Sequence, residues 1–88
     1  MTIQQNAEKA AERLQELFPT IQGIHVENAK IHLGNAAEGG LINEEPAADY
    51  YGYTRTYPWI NQQLVEAVEE MGWRIEWHDP GTLFAYWE

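Results

Sequence analysis

Fourteen acidic and five basic side chains in 88 residues give this chain a formal charge of −9 and an isoelectric point near 4.6. Such a surface repels nucleic acid and anionic membrane and attracts basic partners. The length suits a single domain, residues 1–88, because two halves would each be too small to bury a core. No cysteine is present, which excludes disulfides and thiolate metal sites. Four tryptophans, five tyrosines and two phenylalanines offer the alternative source of stability, at about 150–250 Å² of buriable surface each. No apolar run approaches the roughly 20 residues of a membrane helix. Residues 1–15 lack the apolar stretch of a secretory signal, so a cytoplasmic protein is expected.

The first predicted element is a helix over residues 3–18. Ile3, Ala7, Ala10, Ala11, Leu14, Leu17 and Phe18 fall on one stripe, with Thr2 as N-cap and Pro19 as the stop. Glu8, Glu12 and Glu16, four residues apart, form an acidic ridge beside that stripe. Their repulsion, roughly a few tenths of a kcal/mol per pair, is partly offset by Lys9 and Arg13.

A β-hairpin follows. With Asn28 and Ala29 as a two-residue turn, Val26 faces Ile31 and Ile24 faces Leu33 on one side of the ribbon. Glu27 then faces Lys30, and His25 faces His32, on the other. Asn-Ala is a weaker turn than Asn-Gly, so a turn one residue longer is the alternative. Residues 34–45 are small, polar and glycine-containing, as in an exposed loop. Over residues 49–57 the tyrosines alternate with Gly52, Thr54 and Thr56, which predicts a strand.

The second predicted helix covers residues 58–71. Pro58 stands in its first turn, Ile60, Leu64, Ala67, Val68 and Met71 form its buried stripe, and Gly72 ends it. The last element is a hairpin turned by Asp79-Pro80-Gly81-Thr82. Two registers are open. Pairing Asp79 with Thr82 sets Trp77 opposite Phe84 and Ile75 opposite Tyr86, whereas a one-residue slip puts Ala85 and Trp87 on that face. The predicted fold is therefore α+β: a two-layer arrangement, order α-β-β-(β)-α-β-β, with two helices on one face of a four- or five-stranded antiparallel sheet.

Chemistry is sparse. The chain has no serine and no cysteine, so the usual acyl-transfer nucleophiles are missing. His25 and His32 across the first hairpin, with Glu27 nearby, are weak candidates for a metal, short of the four ligands of a structural site. His78-Asp79 has the form of a base with its orienting carboxylate, but Asp79 equally suits a cap for the turn. Gly39-Gly40 fits no phosphate-binding pattern. No cofactor and no catalytic residue is expected.

The tyrosines make the more interesting surface. Tyr50, Tyr51 and Tyr53 are of the residue type favoured as interface anchors, and Glu44, Glu45 and Asp49 precede them as an acidic rim. These residues, with Glu8, Glu12 and Glu16, are the expected partner-binding set. The partner expected is a basic protein of the nucleic-acid-binding kind, with no direct contact to nucleic acid or membrane. Two other functions compete: a small metal protein or enzyme using His25, His32 or His78, and a self-associating structural or assembly factor.

Three motifs carry a resemblance: Tyr50-Tyr51-Gly52, Tyr57-Pro58-Trp59-Ile60 and Glu76-Trp77-His78-Asp79-Pro80-Gly81. Together they resemble a block of small phage and prophage proteins that covers somewhat less than half of the chain and has no assigned chemistry. In size and acidity the whole chain is also similar to anti-CRISPR and other counter-defence proteins. That similarity implies an inhibitor acting as a nucleic-acid mimic in a host cytoplasm.

Overall fold

The computed structural model of the protein describes residues 2–51 and 58–88. The elements run α1 (Ile3–Leu17), β1 (Ile24–Glu27), β2 (Lys30–Leu33), β3 (Leu41–Ile42), β4 (Glu45–Pro46), β5 (Ala48–Asp49), β6 (Trp59–Ile60), α2 (Gln62–Glu70), β7 (Trp73–Asp79) and β8 (Thr82–Trp87). Four of the strands build an antiparallel sheet in the order β1-β2-β8-β7, while β3–β4 and β5–β6 are separate two-stranded ladders. The fold is α+β in the order read from the sequence.

Helix α1 begins with a capping box. The Thr2 hydroxyl accepts from the Gln5 N–H at 3.1 Å, and the Gln5 side chain accepts from the Thr2 N–H at 2.9 Å. Ala7, Ala10, Ala11 and Leu14 are buried, and the three small residues let the helix lie close to the sheet. Ile3 and Leu17, expected in the same stripe, are 47% and 42% exposed, because they stand at the two ends of the helix.

The first hairpin has the two-residue turn and the register expected of it: Ile24↔Leu33, His25↔His32, Val26↔Ile31 and Glu27↔Lys30. Asn28 and Ala29 both have left-handed φ angles, 50° and 61°. Such turns match the right-handed twist of the flanking strands. Ala29 accepts that geometry without glycine's freedom, at a cost of about 1–2 kcal/mol.

The second hairpin uses both registers. Asp79 pairs with Thr82, and the Gly81 N–H donates to Asp79 Oδ1 at 2.9 Å, so the carboxylate caps the turn. A bulge between Trp77 and Asp79 then accommodates His78. Trp77 consequently faces Leu83, not Phe84. Beyond it Ile75 faces Ala85 and Trp73 faces Trp87. The turn chemistry selects one register and the apolar face selects the other; one extra residue reconciles them.

Two sequence-based expectations require correction, and a third lies mostly outside the described residues. Residues 34–45 do not form a merely exposed loop. Ala36, Gly40 and Ile42 are buried, and β3 and β4 form a third hairpin around Asn43 and Glu44, both at positive φ. The second helix starts at Gln62 instead of residue 58. Trp59 and Ile60 pair with Asp49 and Ala48 in a ladder, and Asn61 takes the N-cap, accepting from the Gln63 N–H at 3.0 Å. Pro58 is thus outside the helix and exposed. The strand expected over 49–57 lies, from Gly52 to Tyr57, outside the described residues; its first two positions are Asp49 in β5 and Tyr50 beyond it.

Both helices share one face of the sheet, α1 over β1 and β2, α2 over β7. Leu14, Ile31, Leu33, Leu64, Val68, Trp73, Leu83 and Ala85 join in a single apolar cluster between the layers. The space between the helices therefore falls over β8. At one end the β3–β4 hairpin fills it: Ile42 is buried, the Thr20 hydroxyl donates to the Leu41 carbonyl, and the Asn43 amide donates to the Gln63 side chain. Backbone bonds from Ala47 to Gly40 and from Asn61 to Ala47 tie this hairpin to the start of α2. At the other end a cleft stays open.

Candidate functional site

Charge is distributed unequally over the two layers. On the helical side Glu8, Glu12 and Glu16 are exposed on α1, Glu66, Glu69 and Glu70 on α2, and Glu44 and Glu45 on the hairpin between them. Those eight are more than half of the fourteen acids in the chain. The helical spacing of the α1 set places all three on one exposed side, the Gln4 amide donating to Glu8 at 3.0 Å. Glu44 reaches the end of that helix: a cleft there is lined by Leu17, Phe18, Glu44 and Gln63. The helical layer thus brings the expected acidic ridge and the acidic hairpin to the same side. The acids of the opposite sheet face stand beside cations: Glu76 is ion-paired with Arg74, and Glu27 faces Lys30 across the strands.

The tyrosines divide. Tyr50 is half-buried, its ring edge-on to Trp77 at 5.1 Å. Tyr51 packs edge-on to Tyr50 at 5.4 Å and remains 59% exposed, the most open of the large apolar side chains among the described residues. Asp49 is half-buried in β5 opposite Trp59. Tyr53 lies outside the described residues. Of the expected anchors, Tyr51 is presented to solvent and Tyr50 is the ring that supports it.

His32 and His78 flank Phe84 on the open face of the sheet, and His25 stacks on His32. His25 and His32 stack with ring centroids 4.7 Å apart and planes inclined by 19°. His32 meets Phe84 edge-on at 5.1 Å, and His78 does so at 5.3 Å. Lys30 Nζ stands 4.9 Å from the same ring. This cover explains why Phe84 is only 5% exposed although it points away from the helices. The His25–His32 pair does not suit a chelate. A metal bound along an imidazole lone pair lies in the plane of the ring, and two nearly parallel stacked planes do not converge on one ion close to both nitrogens. Each Nδ1 is moreover engaged, that of His25 with the Gly23 carbonyl at 2.7 Å and that of His32 with the Gly34 N–H at 3.0 Å. Among the described residues no group of three or more His, Asp or Glu side chains is placed to hold a metal.

Sequence reasoning overlooked two groupings. One is the histidine-capped Phe84, which depends on the pairing of His32 with β8 and left no signal in the spacing of the residues. The other is the open interhelical cleft, where Lys9 and Arg13 meet Trp73 and Trp87. Their spacing on α1 was visible, but not which strand ends lie opposite.

Comparison with protein families, with curated proteins and with solved structures gives no match.

Proposed function

We propose that this is a non-enzymatic binding protein that lays its acidic helical layer on a basic surface of another protein, one that ordinarily handles nucleic acid. The observation that carries this reading is the concentration of eight exposed acids on α1, α2 and the β3–β4 hairpin. Tyr51, open beside them in sequence and backed by Tyr50, supplies a rigid aromatic group with a polar tip, the type of side chain that dominates binding energy at interfaces. Charge complementarity of this kind chiefly raises the association rate and weakens with salt. In its finer form the proposal makes the protein a nucleic-acid mimic that occupies the groove of a host protein. The similarity in size and acidity to anti-CRISPR-type counter-defence proteins supports that form.

The test is affinity capture from a host lysate on immobilised protein, at about 0.05 M salt and again at about 0.5 M, where screening shortens electrostatic reach to a few ångström. Basic nucleic-acid-binding proteins are expected to be retained in the first condition and released in the second. Substituting Glu8, Glu12, Glu16, Glu44 and Glu45 by glutamine should cut retention by about tenfold or more. Retention of such proteins undiminished by these substitutions, or no retention of them at low salt, contradicts the proposal.

A further inference from the structure

The open end of the interhelical gap is a cleft of about 290 Å³. Its wall on α1 is a stripe of Asn6, Lys9, Ala10 and Arg13, and its other wall is formed by Met71, Trp73 and Trp87. In a chain with almost three acids for every base, this cleft has two cations at its rim and no acid in its lining. Neither Lys9 nor Arg13 has an ion-pair partner among the described residues. The three polar side chains follow helical spacing, so the fold aims all of them at the same opening.

The aromatic wall is held in place. Trp73 is fully buried in the core, and Trp87 rests against it edge-on with centroids 5.2 Å apart. Gly72, at φ 85°, makes the left-handed turn into β7 that favours glycine, and the Trp87 ring lies beside it. The Glu88 N–H donates to the Gly72 carbonyl and pins the end of β8 beside the start of β7. Trp87 nonetheless remains 44% exposed. A fixed indole left half open, beside two cations without a direct ion pair and an amide, matches the common form of a small-molecule site: apolar walls with a few convergent polar groups. The volume lies near the lower limit of about 300–1,000 Å³ for such sites, so the ligand is small.

We propose that this cleft binds a small aromatic acid. The flat ring lies against Trp87 and Met71, and the carboxylate sits between Lys9 and Arg13, where its hydrogen bonds are charge-assisted. The inference is independent of the acidic surface, which uses other side chains.

Titration with indole-3-acetate, followed by nuclear magnetic resonance, tests it. Saturable shifts are expected at the Trp87 indole N–H and the Ala10 amide. The uncharged isostere indole-3-acetamide should bind about tenfold more weakly, as fits the loss of charge-assisted hydrogen bonds, and acetate should produce no saturable shift at Trp87. The K9Q/R13Q variant changes two exposed side chains of α1. It should remove the difference between acid and amide, while W87F should weaken both. No saturable shift at these positions up to about 10 mM, a range that covers even millimolar affinity, overturns the proposal. Equal binding of acid and amide to the unaltered protein overturns it as well.

Discussion

Individual residues in this protein are constrained by backbone geometry more sharply than by side-chain chemistry. Ala29 sits at φ 61° in the first turn, so Ala29→Gly should raise stability by about 0.5–1 kcal/mol in urea unfolding, the relief of left-handed strain exceeding the entropy lost. Gly34 is the opposite case. A Cβ there would come within 2.0 Å of the Gln22 carbonyl oxygen, so Gly34→Ala should cost about 3 kcal/mol or prevent folding. Hydrogen-bond partners also distinguish the stacked histidines. His25 donates from Nδ1 to the Gly23 carbonyl, whereas His32 accepts at Nδ1 from the Gly34 N–H. Nitrogen-15 spectra of the neutral rings are expected to show the Nδ1–H tautomer for His25 and the Nε2–H tautomer for His32. Matching tautomers would contradict the assigned partners. The pairing of these two rings could be read from strand alternation. The packing of His32 on Phe84 could not, because it depends on which strand β2 adopts as its second neighbour.

The elements show where local signals suffice and where they lose. Helix α1 and the first hairpin follow from nearby residues alone: the Thr2 cap, the alanine-rich stripe and the apolar alternation agree with one another. Helix α2 does not, because Pro58 is a strong local start signal while Trp59 and Ile60 are drawn into pairing with Asp49 and Ala48, ten and twelve positions away. The last hairpin is a contest between a turn that wants one register and an apolar face that wants the other, and neither outcome alone could be derived from sequence spacing. Cooperative support also differs among the elements. Amide exchange should be slowest in β2, β7 and β8, which share the buried cluster, and much faster in the β3–β4 and β5–β6 ladders, which have two residues per strand. Equal protection across all ladders would contradict the division into one main sheet and two minor ones.

For the molecule as a whole, the net charge could be taken from composition, but its concentration on the helical layer needed the topology: helices that share one sheet face also share one outward surface. Mutual repulsion on that layer should make the fold more stable in salt. Raising sodium chloride from about 0.01 M to about 0.5 M is expected to lift the thermal midpoint by several degrees, given that about 1 kcal/mol moves it by about 4–8 °C at this size. The E8Q/E12Q/E16Q variant should gain less. The same surplus potential is what the protein offers a cationic partner. The most direct measurement is displacement: a captured partner carrying a fluorescent oligonucleotide is titrated with the protein while anisotropy is followed. Loss of the labelled oligonucleotide by the unaltered protein, and none by the variant with Glu8, Glu12, Glu16, Glu44 and Glu45 replaced by glutamine, is the expected result. An oligonucleotide that stays bound at saturating protein, or leaves equally for both proteins, would contradict the role assigned to the acidic layer.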